Sequence, residues 1–154
     1  MATRIPVPPP SPIWCQPSLP ATAEGKRAMV GIVLVSHSRE LAKATAALGR
    51  QMAPDARVVA VGGLEDGGFG TSYERIEAAI EQVLGDDGVI LIMDMGSSVM
   101  TARMVVEDLG DDRVHLADCP FVEGAVEAMV ASQGGSPVDD ILEGLGRAAR
   151  ASKL

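Results

Sequence analysis

From about residue 29 to its end, this chain alternates short apolar runs with longer segments of helical periodicity. Most of the apolar runs are nearly continuous in valine, isoleucine and leucine, which is typical of parallel strands that are covered on both faces. The segments between them repeat apolar residues at the i, i+3, i+4, i+7 spacing of an amphipathic helix. This alternation predicts an α/β fold, a doubly wound, mainly parallel β-sheet flanked by helices on both faces. The four runs are Val30–Ser36, Arg57–Gly62, Gly88–Asp94 and Arg113–Asp118.

Five helices are predicted around this sheet. The first two carry apolar stripes that we expect to face the core. The other three are expected at Ser98–Leu109, Phe121–Ser132 and Pro137–Arg150, with Gly134 and Gly135 separating the last two. The stripes are Leu41, Ala44, Thr45, Leu48 and Met52 in the first helix and Ile76, Ala79, Ile80 and Val83 in the second.

The first 28 residues have a different composition. Seven of the ten prolines fall within the first 20 residues. Because proline lacks a backbone donor and has a fixed φ, such a segment can join neither a helix nor a sheet. It also lacks the uninterrupted apolar stretch of a signal peptide. We therefore expect residues 1–28 to be a disordered N-terminal extension and residues 29–154 to form the folded domain.

Charge and cysteine content limit the partners. After position 28 the chain has 20 acidic and 10 basic residues, which argues against nucleic acid because phosphate contacts need clustered Lys and Arg. No run approaches the roughly 18 apolar residues that span a membrane. The two cysteines, Cys15 and Cys119, resemble neither a disulfide framework nor a paired metal site. These features predict a cytoplasmic protein with neither nucleic acid nor membrane as a partner.

A histidine stands at the end of the first predicted strand, where doubly wound sheets place their chemistry. This residue, His37, is followed by Ser38, the expected N-cap of the first helix and a candidate phosphate ligand. A neutral imidazole nitrogen is a competent nucleophile, and the helix N-terminus beside it would stabilise an added phosphoryl group. Without such chemistry, His37 would be an ordinary surface or capping histidine.

A carboxylate stands at the end of the third predicted strand. Strands one and three are neighbours in a flavodoxin-like order, so Asp94 is expected near His37. Asp94 can accept a hydrogen bond from one ring nitrogen, which fixes the tautomer and leaves the lone pair of the other nitrogen free. An N-cap for the third helix is the other role open to Asp94.

Further groups at the strand ends are candidates for binding phosphate oxygens. Gly96, Ser97 and Ser98 offer backbone amides and hydroxyls at a helix N-terminus. Thr71 is expected to cap the second helix, with its hydroxyl facing the same crevice. The glycine-rich loop before it, Gly62–Gly70, matches neither a Walker loop nor a dinucleotide fingerprint and is expected to form turns. No metal site is predicted.

Four short motifs at the strand ends together resemble the DhaM family, the phosphotransferase subunits of dihydroxyacetone kinase. The domain of that family is similar to the mannose-type EIIA domains of the sugar phosphotransferase system. The resemblance runs from Met29 to about Arg150. The motifs are Val35-Ser36-His37-Ser38, Gly70-Thr71-Ser72, Met93-Asp94-Met95-Gly96-Ser97 and Pro120-Phe121-Val122-Glu123-Gly124.

The resemblance implies a homodimeric phosphocarrier. His37 matches the histidine that accepts a phosphoryl group from the phosphocarrier HPr, and Asp94 matches the carboxylate that orients it. The group would pass to ADP held by the DhaL subunit, and the ATP formed there would phosphorylate dihydroxyacetone on DhaK. A transient phosphohistidine is implied, with no tightly bound cofactor. Many family members continue into HPr-like and enzyme-I-like domains, so this chain is expected to need a separate HPr.

Three alternatives stay open. A mannose-type sugar EIIA shares the chemistry but passes the phosphoryl group to a sugar-transporter component; Ser38 after His37, rather than glycine, and the segment 121–124 favour the DhaM interpretation. A tetrapyrrole metal chelatase also ends its first strand in a turn with histidine. That enzyme needs further His or Glu ligands, and only Glu123 is suitably placed, since His115 lies inside the fourth strand and is expected to be structural. A non-catalytic interaction module is the third alternative.

Overall fold

The structure is a computed structural model that describes residues 28–154, so the predicted extension, apart from Ala28, lies outside the described residues. Strands and helices alternate as predicted, with bounds close to those expected. In chain order the elements are β1 (Gly31–Ser36), α1 (Arg39–Arg50), β2 (Val58–Gly62), α2 (Tyr73–Val83), β3 (Val89–Met93), α3 (Gly96–Leu109), β4 (Val114–Ala117), α4 (Phe121–Gln133) and α5 (Val138–Ala148).

The four strands form one parallel sheet in the order β2-β1-β3-β4. Helices α1, α4 and α5 pack on one face, and α2 and α3 pack on the other. The predicted doubly wound α/β fold is therefore confirmed, as is the neighbouring placement of strands one and three. The winding changes direction between β1 and β3, which opens a crevice at their carboxyl ends.

The central strands are buried along their whole length. β1 and β3 consist almost entirely of aliphatic residues, because both of their faces are covered by helices. The edge strands β2 and β4 are only partly buried. None of the helices within residues 28–154 is long and apolar enough to cross a membrane.

Of the stripe predicted for helix α1, Thr45 is buried as expected, but the other four residues are exposed. The large members of the expected stripe, Leu41, Leu48 and Met52, are 41%, 48% and 54% exposed. The reason is close packing against α4, where Gly49 lies so near Met129 that a Cβ on Gly49 would overlap the sulfur. Small side chains therefore form the buried face, since larger ones would hold the helices apart. The buried residues of α1 are Ala42, Thr45, Ala46 and Gly49.

The other helices agree more closely with the sequence pattern. The predicted stripe of α2 is buried throughout, and the break between α4 and α5 lies at Gly134 and Gly135. The expected cap of α2 is wrong by one residue: Ser72 is the N-cap, and its hydroxyl accepts from the Arg75 N–H at 3.4 Å. Thr71 cannot serve because its hydroxyl is turned towards α3.

A glycine at the end of β2 lets the chain pass very close to α1. A Cβ on Gly62 would lie 2.5 Å from the carbonyl oxygen of Ser38, closer than real Cβ contacts come. Gly62 therefore allows the start of α1, which carries the residues just after His37, to rest directly on the neighbouring strand.

Candidate active site

The pairing of β1 with β3 brings His37 and Asp94 together. Val35 stands opposite Met93 in the register of these strands, and the Asp94 N–H donates to the Val35 carbonyl at 3.1 Å. The next residues on each strand therefore emerge side by side at the carboxyl edge of the sheet. The predicted neighbouring placement of the two side chains follows directly from this register.

The carboxylate contacts both the ring and the backbone of His37. Nδ1 of the ring lies 2.9 Å from Asp94 Oδ1, and the His37 backbone N–H donates to Oδ2 at 2.9 Å. The Asp94 side chain is 7% exposed, whereas that of His37 is 19% exposed. The geometry holds the imidazole by one edge and leaves the other edge open to the surface.

The charge of Asp94 is stabilised by its hydrogen bonds. Burial alone would raise the pKa of Asp94, but donors from the His37 backbone, Ser36, Ser98 and the His37 ring outweigh burial and lower this pKa to about 2. Asp94 is therefore a carboxylate at neutral pH and can only accept. It follows that Nδ1 carries the ring proton and that Nε2 of a neutral His37 has a free lone pair.

Nε2 faces the first turn of α3, where its hydrogen-bond partner is the Ser97 hydroxyl. Because Nε2 accepts, the hydroxyl of Ser97 donates to it. Gly96 and Ser97 belong to the first turn of α3, where a helix has no acceptors of its own for the amide groups. The structure thus brings one predicted phosphate ligand, Ser97, into contact with Nε2 and places the other, Gly96, in the same helix turn.

Ser38 follows His37 in the chain and caps the N-terminus of α1. Its hydroxyl accepts from the Leu41 N–H at 3.2 Å and donates to Glu40 at 3.3 Å, so the predicted N-cap is confirmed. The backbone N–H of Ser38 donates to Ser36 Oγ at 3.0 Å. Both polar groups of Ser38 are therefore engaged within the protein, and its binding of phosphate stays a prediction.

Thr71 is linked to the same helix turn through a second threonine. The Thr71 hydroxyl lies 3.1 Å from that of Thr101, and Thr101 in turn donates to the Ser97 carbonyl at 3.1 Å. The glycine-rich loop before Thr71 is held in place by side chains: Arg75 donates to the Gly63 carbonyl at 3.1 Å. Thr71 therefore borders the turn that carries Ser97 without contacting the His37 ring.

Two functional contacts were missed or misassigned by sequence reasoning. Ser98 was expected to face phosphate, but it is fully buried and its hydroxyl donates to Asp94 Oδ1 at 2.8 Å. Ser36 was not singled out as a site residue, yet its buried hydroxyl donates to Asp94 Oδ2 at 2.8 Å. A serine that ends an otherwise aliphatic strand is the signal that could have found Ser36.

Two other reactive groups lie on or just after β4, and one of them, Cys119, lines a cavity that Asp94 and Gly96 also line. His115 is in the middle of β4. Burial, with Asp118 and Glu127 nearby, raises the pKa of the Cys119 thiol to about 11, so it stays protonated at neutral pH. Within residues 28–154, no three His, Cys, Asp or Glu side chains come close enough to hold a metal ion.

Comparisons with known proteins agree with this architecture. Residues 31–142 match the family model described as PTS system fructose IIA component, EIIA-man. Among solved structures, one titled as a protein of unknown function is 26% identical with a TM-score of 0.69, covering 82% of this chain and 97% of its own. The mannose/sorbose specific IIA subunit from Enterococcus faecalis has a TM-score of 0.56 at 20% identity over 82% of this chain and 95% of its own. At that identity the second structure supports the fold alone.

The curated relatives narrow the family. The phosphotransferase subunit DhaM of the PTS-dependent dihydroxyacetone kinase of Lactococcus lactis is 36% identical, over 75% of this chain and 92% of its own length. The phosphoryl donor subunit DhaM of the PEP-dependent dihydroxyacetone kinase of Providencia stuartii is 33% identical over 74% of this chain, which spans only 25% of that longer protein. The chain therefore belongs to the DhaM family, whose members carry a mannose-type EIIA domain.

Proposed function

We propose that this protein is a phosphocarrier whose His37 accepts a phosphoryl group from HPr and passes it to ADP bound in a DhaL-type subunit, for the phosphorylation of dihydroxyacetone. The observation that carries the proposal is the contact of Asp94 Oδ1 with Nδ1 of His37 at 2.9 Å. It leaves Nε2 as the nucleophile at the exposed edge of the ring. The names of the DhaM relatives, phosphoryl donor subunits of dihydroxyacetone kinases, support the same assignment.

In the loading step, the lone pair of Nε2 attacks the phosphorus of the donor's phosphohistidine. A new P–N bond forms at His37 while the P–N bond of the donor breaks, and the electron pair of that bond returns to the donor's ring. The ring of His37 then carries positive charge, which the Asp94 carboxylate stabilises through the Nδ1 proton. No proton needs to leave Nδ1, because Asp94 stays ionised throughout.

In the unloading step, a terminal phosphate oxygen of ADP attacks the same phosphorus. The P–N bond breaks, its electron pair returns to Nε2, and ATP leaves with the phosphoryl group. Return of the lone pair restores the neutral ring with its proton on Nδ1. The active site is thereby reset without any other reactant.

The transferring group is stabilised by the first turn of α3. The Ser97 hydroxyl, which donates to Nε2 in the resting protein, can rotate to donate to a phosphoryl oxygen once Nε2 is occupied. The amides of Gly96 and Ser97 add the partial positive charge of a helix N-terminus. These groups stabilise the negative charge on the phosphoryl oxygens while the phosphoryl group passes from donor to acceptor.

Partners follow from the same proposal. HPr and the ADP-bearing subunit must each reach Nε2, so they bind the exposed end of the sheet in turn. We assign the chain a homodimeric state, a cytoplasmic location and no bound cofactor other than the transient phosphohistidine. A sugar-transporter component is the alternative acceptor, and it is distinguished from the DhaL-type subunit by the acceptor that discharges the labelled protein.

The test is phosphorylation with enzyme I, HPr and labelled phosphoenolpyruvate. We expect one phosphoryl group per chain, labile in acid and stable in base, as for a P–N bond. His37→Ala should remove the label and keep the fold, because the side chain lies at the surface edge of the site. His115→Ala, the matched histidine control inside β4, should label fully.

Discharge is then followed with DhaL–ADP and, separately, with a mannose-type sugar-transporter component. Loss of label to DhaL–ADP, with formation of ATP, supports the proposed acceptor. Full labelling of the His37→Ala protein, or a label that survives acid, would contradict the phosphohistidine and direct attention to the serines beside it.

A further inference from the structure

Two buried serines bracket the Asp94 carboxylate. Ser36 donates to Oδ2 and Ser98 donates to Oδ1, each at 2.8 Å. Both residues are fully buried, and neither contacts the His37 ring. They reach the carboxylate from different elements, since Ser36 ends β1 and Ser98 lies in the first turn of α3.

A backbone amide donates to each hydroxyl and restricts the directions in which its proton can point. Ser36 Oγ accepts from the Ser38 N–H at 3.0 Å, which directs its proton towards Asp94. Ser98 Oγ accepts from the Met95 N–H at 3.3 Å, and its proton is shared between Asp94 Oδ1 and the Met95 carbonyl, 2.7 Å away. A hydroxyl has a single proton, so Ser36 donates to Asp94, whereas Ser98 donates either to Asp94 or to the Met95 carbonyl.

We propose that Ser36 and Ser98 are positioning residues that hold the plane of the Asp94 carboxylate, so that Oδ1 faces Nδ1 of His37 and Nε2 remains the nitrogen that reacts. This inference rests on the proposed phosphohistidine function and deepens it. The pair acts through Asp94, and neither serine touches the phosphoryl group.

The two backbone amides that donate to Asp94 are not sufficient to hold the plane of its carboxylate. They are the amides of His37 and Met95, which lie 2.9 and 2.7 Å from the carboxylate. Both residues lie at the rim of the site, the exposed loops after β1 and β3, where Met95 is 60% exposed. The rim is also where partner proteins must bind. The two serines are instead fully buried themselves, Ser36 at the end of β1 and Ser98 on the inner side of the first turn of α3, and close-packed side chains move little when the rim is contacted.

The direct test is the ring tautomer of His37, read by ¹⁵N NMR in the unphosphorylated protein. Wild type should show the proton on Nδ1. Ser36→Ala and Ser98→Ala should each raise the share of the Nε2–H tautomer about tenfold, the lower end of the effect of one hydrogen bond to a charged group. Ser132→Ala is the matched control: it removes another fully buried serine hydrogen bond, to the Val30 carbonyl at 2.6 Å, at the far end of β1.

Phosphoryl transfer from HPr supplies the second readout. Each serine variant should slow the transfer step roughly 10- to 100-fold, if the loss matches that of the outer partners of metal-binding histidines, with half-saturation by HPr unchanged. Ser36→Thr, which keeps the hydroxyl, should restore the rate. Ser98→Ala keeps the test decisive if Ser36→Ala does not fold, since it leaves the Ser38 amide bonded.

The two proposals fail in different ways. If wild type takes no label from HPr, the phosphocarrier function fails, while the tautomer still reports on Asp94. If wild type labels normally and both alanine variants keep the Nδ1–H tautomer and the wild-type rate, the positioning role is overturned. A Ser132→Ala protein that changes the tautomer as much as the site variants would also overturn it, because the effect would then be a general loss of stability.

Discussion

Asp94 accepts five hydrogen bonds, from two backbone amides, two serine hydroxyls and one imidazole. A carboxylate has about four lone-pair directions, so this one has no capacity left for a further donor. It is therefore suited to orienting a neighbour rather than to taking up a proton during the reaction. The same donors explain why its charge persists although its side chain is only 7% exposed.

Asp94→Asn tests the orienting role. The asparagine amide can present either oxygen or NH₂ to the ring, so the tautomer of His37 is no longer specified. We expect a folded protein whose phosphoryl transfer is slowed, by up to roughly 10⁴-fold if the loss matches that of serine-protease triads. Asp55→Asn, at the opposite end of the molecule, is the control and should transfer normally. An unchanged rate from HPr in the Asp94→Asn protein would remove Asp94 from the mechanism.

Asp94 also predicts a pH dependence of stability. Hydrogen bonding lowers its pKa from the ordinary 3.8 to about 2 in the folded state, so the folded protein binds this proton less readily than the unfolded chain. The resulting stabilisation is fully present above about pH 4 and is lost as the pH falls towards about 2.

The ionised Asp94 carboxylate contributes on the order of 2 kcal/mol to the free energy of unfolding. It can be measured by urea denaturation of wild type and Asp94→Asn from pH 7 to pH 2.5. The difference between the two proteins should narrow across the acidic range. A constant difference down to pH 2.5 would mean that Asp94 has an ordinary pKa in the folded protein.

At the scale of single elements, the contact of β2 with the start of α1 leaves no room for a side chain at Gly62. Gly62→Ala places a Cβ 2.5 Å from the Ser38 carbonyl oxygen, and backbone cannot yield as a flexible side chain can. We expect a loss of about 1 to 3 kcal/mol in the free energy of unfolding and slower labelling of the adjacent His37.

Gly146→Ala is the matched control for Gly62→Ala. Gly146 lies within α5 and has no neighbour within 4 Å of a built Cβ. Alanine there should stabilise the helix by about 0.5 to 1 kcal/mol and leave labelling unchanged. Thermal melts of the two variants should therefore move in opposite directions; a Gly62→Ala protein as stable as wild type would contradict the close-packing argument.

The elements also show what could be predicted from the sequence. Continuous aliphatic runs predicted the strands, because a strand covered on both faces is built mainly from aliphatic residues. The order of β1 and β3 then placed His37 beside Asp94. The face of α1 could not be predicted in the same way. Its burial depends on how closely α4 approaches at Gly49, and hydrophobic periodicity favours the larger Leu41 and Leu48.

The contacts of Ser36 and Ser98 with Asp94 could not be predicted from the sequence, for a related reason. A buried polar residue requires a partner from another segment, and the direction of a hydroxyl depends on backbone that periodicity does not describe. Ser98 is adjacent in sequence to Ser97, but the two side chains leave the helix turn in different directions. Ser97 contacts Nε2 of His37, and Ser98 contacts Asp94.

At the scale of the whole molecule, the candidate site and the start of the described chain lie at opposite ends of the sheet. His37, Ser97 and the first turns of α1 and α3 gather at the carboxyl ends of the strands. The described chain begins at the other end of β1, where Ala28 lies near the turn at Gly135. The six residues of β1 separate these ends by about 20 Å. A segment joined before residue 28 therefore starts from the end remote from the reacting nitrogen.

This separation predicts that a chain starting at Met29 behaves like the full-length protein. The described core begins with Val30, and the Met29 N–H donates to Asp87 at 3.0 Å, a contact that a new amino terminus would keep with added charge attraction. We expect the truncated chain to melt within error of the full chain, to keep the same oligomeric state and to take label from HPr at the same rate. Thermal unfolding, light scattering and labelling are compared at equal concentration. A large loss of stability or a change of oligomeric state would show that residues 1–28 pack on the domain, whereas slower labelling of an equally stable protein would show that they help to bind HPr.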